Sequence, residues 1–142
     1  MKILIFGLPG SGKTTLAKPF AELIGGVHIN ADAVREHYND WDFTPSGRLR
    51  QAQRMRHLAD GVVMSGKIAV TDFVAPTEVT RHNFGPDFTV WMDTIKEGRF
   101  EDTNKMFEKP DRNYVNYHVQ QWFDDTPQDL LNAVNHWREN NV

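Results

Sequence analysis

Nine consecutive residues, GLPGSGKTT from Gly7 to Thr15, lie directly behind the apolar run Ile3-Leu4-Ile5-Phe6 and match the spacing G-x-x-x-x-G-K-[ST]. The chemistry of such a stretch is phosphate binding. Its glycines, Gly7, Gly10 and Gly12, let successive backbone N–H groups turn inward on phosphate oxygens, with Pro9, Ser11 and Thr15 completing the cradle. Lys13 brings an ammonium to the β and γ phosphates, and the Thr14 hydroxyl is placed to ligate Mg²⁺. The helix that starts here aims the positive end of its dipole at the same anion. The alternative is a chance glycine-rich turn, but the motif is complete and sits between a buried-type strand and a helical pattern. ATP with Mg²⁺ is the expected ligand.

What the phosphate is used for must be read elsewhere. In INADAVREHY, Asp32 and Arg35 lie three residues apart, at helical spacing. A carboxylate there can take a hydroxyl proton and a guanidinium can hold an anionic substrate. The same pair equally reads as a helix cap with a surface ion pair. In DFTPSGRLRQAQR, Phe43 precedes Arg48, Arg50, Gln51 and Arg54, with Arg56 beyond. Arg48 and Gln51 share a face that can turn back toward Asp32, whereas Arg50 and Arg56 are expected in solvent. Phe43 and Phe107, from separate polar segments, can sandwich a purine, with stacking of roughly 1–3 kcal/mol per face. Asp72, at the end of a predicted strand, can orient Mg²⁺. The six histidines show no pair at metal-ligand spacing and are expected at surface or strand positions.

The elements that must position these residues alternate. Five short apolar or β-branched segments, Lys2–Phe6, Val27–Asn30, Lys67–Val74, Phe88–Asp93 and Val115–Val119, read as strands. Leu49, Ala52, Met55, Leu58, Ala59, Val62 and Val63 predict a helix over Ser46–Met64 with one buried face. Thr126 reads as a cap and Pro127 as the first residue of a last helix, with Asp129 closing a capping-box-like arrangement. Pro19, two turns into the helix after the glycine loop, predicts a kink or an early break there. The alternation implies an α/β, three-layer fold: a parallel five-stranded sheet with helices on both faces and ligands beyond its carboxyl ends.

Composition narrows the class. At 142 residues a single domain, 1–142, is expected. A net charge of −3 gives no general affinity for nucleic acid or anionic membranes, and the absence of cysteine excludes disulfides, thiolate metal sites and a cysteine nucleophile. No apolar run approaches the ~18–20 residues of a membrane span. The glycine loop starts too early to leave room for a signal peptide. A soluble, cytoplasmic protein is the expectation.

Taken in order, GLPGSGKTT, INADAVR, DFTPSGRLRQAQR, IAVTDFVAP and WMDT resemble the adenylylsulfate kinase (APS kinase) family of P-loop kinases over roughly residues 1–95. The resemblance implies transfer of the γ-phosphoryl of ATP to the 3′-hydroxyl of adenosine 5′-phosphosulfate, a step of sulfate assimilation. It implies Asp32 and Lys13 as catalytic residues and Arg35, Phe43, Arg48, Gln51, Lys105 and Phe107 as substrate-binding residues. Asn30 stands where the family has an acid, Gln51 where an asparagine is usual, and Ala75 where a serine is usual. Residues 94–113 form a lid and substrate loop shorter than the family's. Partners are then ATP and a small anionic nucleotide, with room for a homodimer. Two other readings fit the same motifs: a 5′-hydroxyl polynucleotide or other small-molecule kinase, and a nucleotide-binding module without catalysis.

Overall fold

The computed structural model of the chain describes residues 1–141. Five strands form one parallel sheet: β1 (Lys2–Phe6), β2 (Val27–Asn30), β3 (Ala69–Asp72), β4 (Phe88–Met92) and β5 (Tyr117–Val119), in the spatial order β2-β3-β1-β4-β5. The helices are α1 (Lys13–Ile24), α2 (Ala31–Tyr38), α3 (Pro45–Met64), α4 (Glu78–Phe84), α5 (Glu101–Met106) and α6 (Thr126–Asn140). A short 3₁₀ turn occupies Arg112–Tyr114. No helix among the described residues is long and apolar enough to cross a membrane.

The central strand shows why both faces must be covered. Ile3, Leu4, Ile5 and Phe6 are all fully buried, the pattern of a parallel strand with helices on either side. Because side chains alternate along a strand, Ile3 and Ile5 join Leu16, Phe20, Leu130 and Val134 under α1 and α6. Leu4 and Phe6 join Ala52, Met55, Ala59 and Phe84 under α3 and α4. These two cores fix the sheet between two helical layers.

Several predicted boundaries shift. β3 is shorter than Lys67–Val74, because the chain leaves the sheet after Asp72 and Ala75 takes a left-handed conformation (φ 43°). β5 begins at Tyr117 rather than Val115, and β4 ends at Met92. Pro19 does not break α1, which runs unbroken from Lys13 to Ile24 and ends on Gly25, whose N–H bonds the Ala21 and Glu22 carbonyls. The carbonyl that Pro19 cannot reach belongs to Thr15, an exposed residue, so water can satisfy it. α3 starts at Pro45 with Thr44 as its cap, accepting from the Gly47 N–H. In α6 the capping position falls to Asp125, which makes no side-chain cap bond, and Thr126 is the first helical residue. The Thr126 hydroxyl instead accepts from the Phe123 N–H, which closes the turn ahead of the helix.

Candidate active site

Parallel pairing brings the carboxyl ends of all five strands to one side of the sheet. The register sets Asn30 opposite Asp72, Ile5 opposite Asp72 and Phe6 opposite Trp91. The segment Gly7–Gly12 leaves β1 at this edge and enters α1. Gly7 (φ 155°) passes so close to β4 that a Cβ would lie 2.5 Å from the Met92 carbonyl oxygen. No other residue fits there without moving the strand. Thr94, just past β4, fastens the loop from the same side through its hydroxyl, which donates to the Ser11 carbonyl at 2.7 Å.

Above this loop opens a cavity of about 1140 Å³. Single-ligand pockets usually measure about 300–1,000 Å³, so it has room for a nucleotide and a second substrate. One wall is the phosphate loop with Gly10, Gly12, Lys13, Thr14 and Thr15; a second is the α2–α3 connection with Trp41 and Phe43; a third is the segment through α5 with Arg99, Phe100 and Met106. Asp32 and Asp72 also line it.

The polar centre is Asp72, which is 2% exposed. Its Oδ1 accepts from the Thr14 hydroxyl at 3.2 Å and from the Asn30 amide at 3.1 Å, while Oδ2 meets His28 Nε2. The Asn30 side chain also caps α2, its oxygen accepting from the Ala33 N–H at 3.0 Å. An acid at position 30 would set a second carboxylate against Asp72 Oδ1, which an amide avoids. Thr14 and Asp72 are hard oxygen donors side by side. Such a pair fits Mg²⁺, which is held by one or two protein oxygens while phosphates and water complete its shell.

Lys13 Nζ donates to the Leu8 carbonyl at 3.0 Å. Burial lowers its pKa to about 8, against the opposing pull of the Asp72 and Asp32 carboxylates. Asp32 lies in the first turn of α2, exposed and on the cavity wall, and makes no side-chain hydrogen bond or ion pair among the described residues. The cap of that helix is Asn30, so Asp32 is not occupied in capping.

The structure separates the predicted substrate residues into two groups. Phe43 and Arg48 line the cavity. Arg35, Gln51, Lys105 and Phe107 do not. Arg35 is 4% exposed and donates to the Asp40 and Asp42 carbonyls at 3.0 and 3.2 Å. Gln51 donates to the Ala31 carbonyl at 3.1 Å, tying α3 to the start of α2. Lys105 is exposed at the end of α5, 4.0 Å from Glu101. Phe107 packs in the α3–α4 core beside the Arg81 guanidinium, 5.1 Å from its ring centre. The Phe43–Phe107 sandwich is therefore not formed. The Arg35 and Arg48 guanidiniums sit 4.4 and 5.3 Å from the Phe43 ring centre, yet Phe43 stays 49% exposed. Arg50 is exposed, as expected, and also bonds Asp40 and Asp42; those contacts with Arg54 hold the Asp40 carboxyl well below the usual carboxylate range.

Four functional candidates escaped the sequence reading. Trp41 and Phe100 line the cavity as half-exposed aromatics, and nothing local marks them out from other rings. His28 had a signal: in Val-His-Ile-Asn it shares a strand face with Asn30, and both reach Asp72. Arg81, 2% exposed, donates to the carbonyls of Ala75 (2.9 Å), Pro76 (3.3 Å) and Glu108 (2.7 Å) and lies 4.5 Å from the Phe6 ring centre. It fastens the loop after β3 to the segment after α5. Burial lowers its pKa to about 10 and raises that of neighbouring Tyr114 to about 12. The segment around α5 is pinned twice more. Arg48 donates to the Thr103 hydroxyl at 2.7 Å, and Asn104 bonds both the N–H and the carbonyl of Gly98, at 2.8 and 3.0 Å.

This sheet order with a glycine-rich phosphate loop after β1 defines a P-loop kinase fold. Solved structures agree: APS kinase from Mycobacterium tuberculosis, in complex with AMPPNP and APS, superposes with a TM-score of 0.75 over 94% of this chain and 96% of that one, at 16% identity. The chain belongs to the adenylylsulphate kinase family, whose model matches residues 1–111. A probable adenylyl-sulfate kinase of Aeropyrum pernix is 30% identical over 89 residues, which cover 56% of this chain and 47% of that protein. An adenylate kinase of Pyrococcus furiosus is 36% identical over 85 residues, 59% of this chain and 36% of that protein. The matched region thus spans less than half the length of either curated relative.

Proposed function

We propose that this chain is an ATP-dependent kinase whose acceptor is a small nucleotide, with the 3′-hydroxyl of adenosine 5′-phosphosulfate as the hydroxyl phosphorylated. The observation that carries this reading is the half-exposed Phe43 ring in the same cavity as the phosphate loop. That ring is backed by two cations and left half exposed, with Trp41 and Phe100 on the same cavity, each about half exposed. Aromatic faces suit a nucleobase, which can stack on them.

The phosphate loop would bind the triphosphate through its N–H groups and Lys13. Thr14 and Asp72 would hold Mg²⁺, which screens phosphate charge as the γ-phosphoryl leaves. In the transfer, the acceptor hydroxyl oxygen forms a bond to the γ-phosphorus while the bond to the β–γ bridging oxygen breaks. Asp32, unpaired and on the cavity wall, would take the hydroxyl proton. Lys13 would stabilise charge developing on the departing ADP. The product would be 3′-phosphoadenosine 5′-phosphosulfate, and the chain would then serve sulfate assimilation, as a cytoplasmic enzyme in this reading.

A polynucleotide acceptor fits less well. It would need a cationic track for several phosphates, and of the cavity's arginines Arg48 is already bonded to the Phe43 carbonyl and Thr103. The test is incubation with Mg-ATP and a mixture of adenosine 5′-phosphosulfate, nucleosides, gluconate and a 5′-hydroxyl oligonucleotide, read by mass spectrometry. A phosphorylated sulfonucleotide supports the reading. Phosphorylation of any other acceptor alone overturns it.

A further inference from the structure

A carboxylate that must present one oxygen in a fixed direction needs something to hold the other. Asp72 is buried, and its outer torsion is broad and two-fold, so burial alone does not fix the plane of the carboxylate. Oδ1 faces the Thr14 hydroxyl and the Asn30 amide; among the described residues Oδ2 has one side-chain partner, His28 Nε2. His28 belongs to β2, the edge strand beside β3, and its side chain is 21% exposed. Its ring also lines a separate groove of about 440 Å³ between β2, α2 and α3, with Val27, Tyr38 and Leu58. His28 therefore both contacts the carboxylate and contributes to the lining of that groove.

We propose that His28 is a positioning residue for nucleotide-bound metal, fixing Asp72 Oδ2 so that Oδ1 stays turned to the Thr14 hydroxyl. The inference rests on the reading of Thr14 and Asp72 as the Mg²⁺ side of a nucleotide site. Without the histidine, the carboxylate has an unpaired buried oxygen and an open groove beside it. It then rotates toward water entering from that groove. Groups that orient a metal-ligating carboxylate in this way are worth 10- to 100-fold in metal affinity, as an order of magnitude. His28 touches neither nucleotide nor acceptor in this account.

The contacting atom decides the test. A glutamine amide reaches about as far as Nε2 and can donate to Asp72, whereas an asparagine amide matches the nearer ring nitrogen and falls short. The experiment is calorimetric titration of ADP into the full chain, with Mg²⁺ and with EDTA, for the unaltered protein, His28→Gln and His28→Asn. Folding is checked by thermal melting. The expected result is unchanged ADP affinity in EDTA for all three proteins. The tightening caused by Mg²⁺ should be kept in His28→Gln and reduced about tenfold or more in His28→Asn. Full Mg²⁺ tightening in His28→Asn overturns the proposal. So does an equal loss in both variants, or a loss of EDTA-state binding that parallels the melting temperature, since each makes the histidine merely structural. Absence of Mg²⁺ tightening in the unaltered protein overturns the metal-site reading beneath the inference, and is distinguishable for that reason.

Discussion

Raising the pH should release ADP from this protein in a way that reports on one side chain. Lys13 has its pKa lowered to about 8 by burial, from an ordinary lysine value of 10.5, and a phosphate seated in the loop would draw it back up. Binding then takes up a proton wherever the free protein has lost it. Metal-free binding should scale as the protonated fraction of Lys13. It therefore falls about tenfold between about pH 7 and pH 9, close to 1.4 kcal/mol. The stability of the free fold moves in the opposite direction. A lysine whose folded pKa lies below its unfolded value opposes folding while charged, so the fold gains stability as pH rises from about 8 toward 10.5. The assay is calorimetric titration of ADP in EDTA across that range, in two buffers of different ionisation enthalpy. Proton uptake should approach about 0.9 per ADP near pH 9. Lys13→Arg, charged throughout, should bind without the slope. A flat profile in the unaltered protein, or the same slope in Lys13→Arg, would refute the assignment of Lys13 to the phosphates.

The other expectations concern the acceptor side and the frame. Asp32→Asn should keep nucleotide affinity and lose turnover by on the order of 10² to 10⁴; a single-turnover rate reduced only slightly would remove Asp32 from proton transfer. Phe43→Ala should raise the KM for adenosine 5′-phosphosulfate roughly tenfold, at about 1–3 kcal/mol of stacking, with little change in melting temperature. Phe107→Ala should do the reverse, costing about 3 kcal/mol of stability in denaturant titration with the acceptor KM nearly unchanged. Equal KM effects from the two would restore the sandwich that the structure does not form. Arg81→Leu takes the donor from the Ala75 and Glu108 carbonyls, while Pro76 keeps the Glu108 N–H, and should cost about 3 kcal/mol in the same titration; a neutral result would mean that the loops after β3 and α5 hold themselves.

The phosphate loop and the sheet were legible because their signals are local. Ile3 to Phe6 is an unbroken apolar strand, and the glycine spacing that follows has one well-understood purpose. The ends of β3 were not legible, since Phe73 and Val74 look like strand residues. What ends the strand is the turn at Ala75, whose carbonyl is held by Arg81 from α4. Pro19 misled because its cost depends on whether the orphaned carbonyl meets water, which sequence does not show. The substrate rings failed for a related reason. Phe100 and Phe107 are alike in sequence, and only the long-range placement of Arg81 draws Phe107 into the core while Phe100 stays on the cavity. Arg35 and Gln51 lie close to the site, as the helical spacing implied, but their hydrogen bonds go to backbone carbonyls that shape it. The polar cluster at Asp72 needed the β2–β3 register before His28 and Asn30 could be seen to meet it.

Phosphate loop, Asp32 and Phe43 are proposed together to phosphorylate a small sulfonucleotide. The most direct measurement is single-turnover transfer from γ-labelled ATP, with Mg²⁺, to adenosine 5′-phosphosulfate, resolving the labelled product and locating the new phosphate. The expected result is label on the 3′-oxygen of the sulfonucleotide, lost in Asp32→Asn and dependent on acceptor concentration with a raised KM in Phe43→Ala. Label on a different acceptor, or ADP release that adenosine 5′-phosphosulfate does not stimulate, would contradict it.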